Sequence, residues 1–250
     1  MSNSPSSIDE VIDQLEIIIQ NGREQEDPRA YFAALYQKVT VRVKEGIATG
    51  FFADGPRMER LDILFANRYL DAYHAYNEQS TVTNSWRIAF DGAKRYWPIV
   101  LQHLLVGINA HINLDLGIAA METSQGAELA DLREDFNKIN QILADLVNEV
   151  EADLAAIWPT MGKLIKWLDG TENLLMDFSM LIARDGAWKF AEELAASPEN
   201  GRAALIHRRD LQIEKIGADI MGRKWYIRLL LNFIRLGERG SVSAKIDRLR

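Results

Sequence analysis

P-I-V-L-Q-H-L-L-V-G-I-N-A-H-I-N-L-D-L-G-I-A-A, from Pro98 to Ala120, is apolar on every side when wound at about 100° per residue. That is the pattern of a helix enclosed by other helices. The rest of the chain supplies the enclosure, because apolar residues recur at helical spacing almost throughout and alternating strand patterns are missing. Helices are predicted at Ile8–Gln20, Pro28–Ala48, Asp54–Tyr76, Ser85–Arg95 and Pro98–Ala120. A long one follows, closing at Ile157, then Thr160–Leu168 and Thr171–Ala196, one from Pro198 to Met221 and a last to Leu236. Asp27-Pro28, Asp54 with Pro56, and Ser197-Pro198 each pair a capping residue or turn with a first-turn proline. The expected architecture is all-α, a single-domain bundle of about nine or ten helices around a buried central helix.

Bulk properties agree. The chain has 250 residues, 48% of them hydrophobic, and its six prolines and sixteen glycines are scattered singly, so no linker divides it. One domain over 1–250 is expected, with a polar tail at 1–7 and an end at 241–250 that frays. No fixed-period repeat is present. Cysteine is absent, which removes disulfides, thiolate metal sites and cysteine nucleophiles. The start of the chain lacks the basic and apolar regions of a signal peptide, and no uninterrupted apolar run reaches the roughly 20 residues of a membrane span. A cytoplasmic location is the expectation. The net charge of −7 argues against nucleic acid as a partner. From Ile220 to Arg250, however, eight Lys or Arg face Glu238 and Asp247, a net +6 that leaves −13 on the remainder. Docking of this basic segment on the acidic body is the first reading, and an anionic membrane surface or partner the second.

The central helix carries polar groups that its surroundings make costly. Unpartnered buried polar groups cost about 1–3 kcal/mol each, so Gln102, His103, Asn109, His111, Asn113 and Asp115 demand a network or a ligand. Gln102, Asn109 and Asn113 share one narrow stripe and read as structural hydrogen bonding. His103, Gly107, His111 and Asp115 share another arc, with Gly107 leaving space. His111 and Asp115 are separated by a rise of about 6 Å, which lets two side chains share a metal or a proton. His103 lies about 12 Å from His111 along a regular helix and belongs to another place. Asp62 falls on the apolar face of its helix and calls for a cation. Asp135 borders the face of Leu132, Phe136 and Ile139, and Arg184 shares a face with Asp177, Met180 and Trp188.

The strings M-E-R-L-D-I-L-F-A-N-R-Y-L-D (Met58–Asp71), Q-H-L-L-V-G-I-N-A-H-I-N-L-D-L (Gln102–Leu116) and D-F-N-K-I-N (Asp135–Asn140) resemble an uncharacterised bacterial family known as a domain of unknown function. That resemblance implies a helical fold and no activity. The His111-x-x-x-Asp115 pair is also similar to helices of the zinc-dependent phospholipase C and single-strand nuclease family. Gly107 stands where that family has an aspartate, and its zinc-binding N-terminal residue is missing, which argues against a trinuclear cluster. P-loop, dinucleotide, nucleophile-elbow and H-E-x-x-H signatures are absent.

The leading functional expectation is a metal-dependent hydrolase of esters or phosphoesters. His111, Asp115, Asp62 and Asp135 would ligate Zn²⁺ or Fe²⁺, and His103 or Arg184 would steady developing charge. Two other readings stay open: a non-catalytic small-molecule-binding or interaction protein with a structural polar network, and a peripheral membrane or partner adaptor acting through the basic C-terminal segment.

Overall fold

In a computed structural model, residues 4–124, 128–158, 180–222, 231–232 and 235–250 are described. Their order is α1 (Ile8–Gln25), α2 (Ala30–Ala48), α3 (Gly55–Asn77), α4 (Asn84–Ala93), α5 (Val100–Ala110), a π-helical turn (His111–Asp115), α6 (Leu116–Thr123), a 3₁₀ turn (Leu129–Leu132), α7 (Arg133–Ile157), α8 (Met180–Ala196), α9 (Glu199–Ile220) and α10 (Val242–Leu249). The predicted helix at 160–168 and Asp177 lie outside the described residues.

Starts follow local chemistry. Ser7 accepts the Glu10 amide at α1, and Asp54 accepts the Arg57 amide at α3, with Pro56 in the first turn. Four starts, that of α3 among them, draw on carboxylates from distant sequence. Asp135 accepts the amides of Ala53 and Asp54 at 2.8 Å each, just before α3. Asp210 accepts those of Asn84 and Ser85 at the start of α4, Glu238 that of Val100 at α5, and Glu26 those of Val242 and Ser243 at α10. A helix start exposes unpaired amides and the positive end of its dipole, so a buried carboxylate is stable there. Asp210→Ala is expected to lower stability by about 1–2 kcal/mol, read from urea melts, because α4 has no side-chain cap of its own. A loss under about 0.3 kcal/mol would contradict this.

The continuous stretch α5–π–α6 forms the axis. α5 packs on α2, α4 and α9, the π turn on α3, α8 and α9, and α6 on α3 and α8. By length and composition, Val100–Thr123 could cross a membrane, contrary to the sequence expectation, but 89% of its most apolar window is covered by protein. Gly117 permits the approach of α8, since a Cβ there would lie 2.7 Å from the Ala187 carbonyl. The amide stripe ties the axis to α9: Gln102 donates to the Ile220 carbonyl, Asn109 to that of Ile213, and Asn113 to the Asn109 side chain.

Residues 241–250, expected to fray, contain α10. Ile246 and Leu249 of α10 are buried, Arg250 pairs with Glu16 at 2.6 Å, and Arg23 pairs with Asp247 at 2.8 Å. Arg250–Glu16 has the polarity expected of a basic segment on an acidic body, and Arg23–Asp247 has the reverse. Lys224 and Arg228 lie outside the described residues.

Candidate functional site

The π turn is the feature that linear spacing could not show. The Leu116 amide reaches back to the His111 carbonyl, one residue further than in an α-helix, and the Asn113 carbonyl instead accepts Arg209 Nε at 3.0 Å. Single-turn π insertions re-aim side chains and are frequent at functional sites. Here the turn swings His111 and Asp115 toward α2, α3 and α4.

Asp115, 1% exposed, accepts three donors. Arg68 Nε lies 3.1 Å from one oxygen; Trp86 Nε1 at 2.8 Å and His111 Nδ1 at 3.3 Å share the other. Burial pushes this carboxyl up, but the His111 hydrogen bond, the Arg68 charge and the Trp86 hydrogen bond outweigh it and hold the group below the usual range. An ionised carboxylate accepts only, so the His111 proton sits on Nδ1 and the Nε2 lone pair faces away from Asp115. Nε2 is buried without a hydrogen-bond partner. Burial lowers the imidazole pKa against the pull of Asp115, so the ring is neutral near pH 7.

Aromatic rings hold this imidazole in place. Phe65 stacks on it with centroids 3.5 Å apart at 8°, Tyr36 meets it edge-on at 4.6 Å, and Phe32, Trp86 and Tyr69 stand within 6.2 Å. Two more buried groups lack a hydrogen-bond partner by geometry: the hydroxyl of Tyr36, which the Thr40 side chain also influences, and Asp62 Oδ2. Burial first, then the Asp62 and Asp115 carboxylates, push the Tyr36 phenol well up, which places both acids within electrostatic reach of it. Burial, with Glu59 adding, raises Asp62 to about 7. Among the described residues no arginine pairs with Asp62. The sequence called for a cation there, and the group meets burial by holding its proton instead.

The other expected site residues lie elsewhere. Asp135 caps α3 near residue 54, about 16 Å along that helix from Phe65. Arg184 stacks over the Phe136 ring at 4.3 Å and donates to the Phe136 carbonyl at 2.5 Å; burial lowers its pKa to about 9. His103 packs 5.7 Å from Tyr31, and burial lowers its pKa to about 4. Gly107 leaves room for a ring, not a ligand: a Cβ there would lie 2.6 Å from Phe32, which stands between the two histidine positions. Sequence reasoning therefore found His111, Asp115 and Asp62 and missed Arg68, Trp86 and Tyr36. Trp and Tyr on apolar helix faces, with polar ends that need partners, were the available signal.

Asp115 does not suit direct metal ligation, because both oxygens are engaged and Arg68 stands beside it. Among the described residues no group of three His, Asp or Glu is placed to hold a metal ion. The arrangement provides a neutral imidazole with a free nitrogen, a protonated phenol and a carboxyl that titrates near neutrality.

No curated protein and no solved structure matches the chain. Residues 8–223, which contain every group of this site, match the family described as "Family of unknown function (DUF5995)", and the chain belongs to that family.

Proposed function

We propose that the chain is a hydrolase of small carboxylic esters whose centre is His111. The observation that carries this reading is the unpartnered, buried Nε2 of an imidazole fixed through Nδ1 by a carboxylate. That pairing selects the tautomer needed for a general base. In the proposed reaction His111 Nε2 takes a proton from water as the water oxygen attacks the acyl carbon. The Tyr36 hydroxyl donates to the oxygen on which charge develops. Asp62, protonated up to about pH 7, gives its proton to the departing alkoxide and recovers one from His111 as the acid forms. Water and ester become acid and alcohol, and the three groups return to their starting states. Aromatic walls suit a neutral ester better than a phosphoester, whose charge would need a cation not already paired.

Turnover of p-nitrophenyl acetate and butyrate by untagged protein tests the proposal. His111→Ala is expected to lower kcat/KM by about 100-fold or more at unchanged helicity, with Tyr36→Phe lowering kcat more than it raises KM. Turnover that survives in His111→Ala, or none at any acyl length, would end it.

A metal-assisted version has one observation in its favour, since metal-bound imidazoles are also held by a carboxylate through the other nitrogen. Zn²⁺ or Fe²⁺ would then rest on His111 Nε2 and Asp62. Elemental analysis separates the two versions: stoichiometric metal that disappears in His111→Ala would select it.

A further inference from the structure

The His111 centre is enclosed, so a substrate needs a way in. A cleft of about 450 Å³ opens on the surface where α1 ends, α2 begins, and α3 and α4 end. Asp27, Arg29, Tyr76, Asn77, Gln79 and Lys94 are among its lining. Both non-glycine residues with left-handed backbone, Glu26 at φ 53° and Gln79 at φ 57°, sit on its rim. Each closes a helix: the Asp27 amide bonds back to the Gly22 carbonyl at the end of α1, and the Ser80 amide to the Ala75 carbonyl at the end of α3. Side chains at these angles are uncommon and mark places where the chain is held to a shape.

The cleft floor leads inward. Arg29 is held by Asp27 and Asn77 and lies over the Tyr73 ring at 5.1 Å and the Tyr76 ring at 5.8 Å. Behind it is Tyr69, wholly buried, whose hydroxyl has no partner. Its ring stands 6.3 Å from that of Tyr73, over which Arg29 lies, and burial pushes its phenol well up. The same ring stands 6.2 Å from His111 and 5.1 Å from Trp86. Tyr69 therefore stands between His111 and the Tyr73 ring that lies under Arg29 at the cleft.

We infer that this cleft is the entrance to the His111 centre, with Tyr69 as the partition and Arg29 as the group that meets the incoming molecule. This rests on the ester-hydrolase reading for what enters. The lining sets the donors of Arg29 and Lys94 beside the Glu26 and Asp27 carboxylates, a mixed rim that suits a neutral molecule whose carbonyl meets the donors, as that of an acyl ester does. Arg29 is half-buried between acceptor and rings, and shifting its head from the tyrosines to a carbonyl uncovers the Tyr73 ring beside Tyr69. Passage requires the Tyr69 ring to turn aside.

Carbethoxylation of His111 by diethyl pyrocarbonate, read by mass spectrometry of the full chain, tests this without requiring turnover. The probe is a small neutral carbonyl compound that reacts at an unprotonated imidazole nitrogen. Tyr69→Ala and Arg29→Ala are expected to speed labelling of His111 by about tenfold, and Ala93→Trp, which fills the cleft, to slow it by about as much. Ile17→Trp, at an exposed position on α1 outside the cleft lining, is the control and leaves the rate alone. Should Tyr69→Ala not fold, Arg29→Ala and Ala93→Trp decide. Equal labelling of wild type and Ala93→Trp, or an unlabelled His111 in Arg29→Ala, would overturn the inference. Labelling that obeys the cleft variants without ester turnover would leave the entrance standing and remove the proposed reaction. Turnover indifferent to Ala93→Trp would do the reverse.

Discussion

Asp115→Ala is expected to lower the stability of the chain by about 3–5 kcal/mol at pH 7, a large share of the roughly 5–15 kcal/mol typical of a domain. The substitution leaves three buried or half-buried donors without an acceptor: Arg68 Nε, Trp86 Nε1 and His111 Nδ1. Arg68 is 28% exposed and can turn its charge to water, whereas the indole and imidazole cannot. Loss of the acceptor also frees the imidazole to change tautomer, so the same variant should abolish any turnover. Asp115→Asn keeps one acceptor oxygen and adds an amide that can donate only to a His111 ring that has changed tautomer, and is expected to cost about half as much. Urea melts with matched m-values give both numbers. A loss below about 1 kcal/mol for Asp115→Ala would show that the carboxylate does not hold these groups. Because its pKa is depressed in the folded chain, the contribution of Asp115 is complete above the unfolded value near 4 and fades as pH falls below it.

The helical frame was legible because it depends on local pattern. Capping residues with first-turn prolines gave the start of α3, and all-round apolarity marked the axis as enclosed before any neighbour was known. The polar groups on that axis were legible as a problem, since each has a fixed desolvation cost. How the problem is solved was not. A periodicity of 3.6 residues carries no sign that the Leu116 amide bonds to His111, and that extra residue decides which neighbours His111 and Asp115 meet. The partners come from far away in the chain: Arg68 and Trp86 are 47 and 29 positions from Asp115. Likewise Asp135 read only as an acid bordering an apolar face, and Asp210 was not singled out. Their amide partners lie 82 and 126 positions away, and a carboxylate bound to backbone leaves no residue-type signature at the other end.

Asp62→Asn is expected to leave stability nearly unchanged at pH 4 and to raise it by about 4 kcal/mol at pH 8, relative to wild type. Burial with Glu59 moves the folded-state pKa to about 7, against about 3.9 in an unfolded chain. Below pH 4 both states hold the proton and Asp62 imposes no penalty. Between about pH 4 and 7 only the folded state holds it, so stability falls by about 1.4 kcal/mol per pH unit as pH rises, and above 7 the loss is complete. Glu59 acts on Asp62, and Asp62 and Asp115 both act on the Tyr36 phenol. His103 and His111, neutral when folded, contribute the opposite slope below pH 6.5, because an unfolded chain protonates them first. Wild-type pH dependence is therefore a sum of opposed terms, and the difference between variant and wild type isolates Asp62. The amide introduced by asparagine has its own desolvation cost, but that cost is constant with pH and shifts the curve without bending it. A difference that rises from pH 4 and levels off near pH 7.5 would identify the carboxyl that the proposed reaction uses as its acid. A flat difference would mean that Asp62 titrates as an ordinary carboxylate, ionised at neutral pH, and the reaction would lose its proton donor.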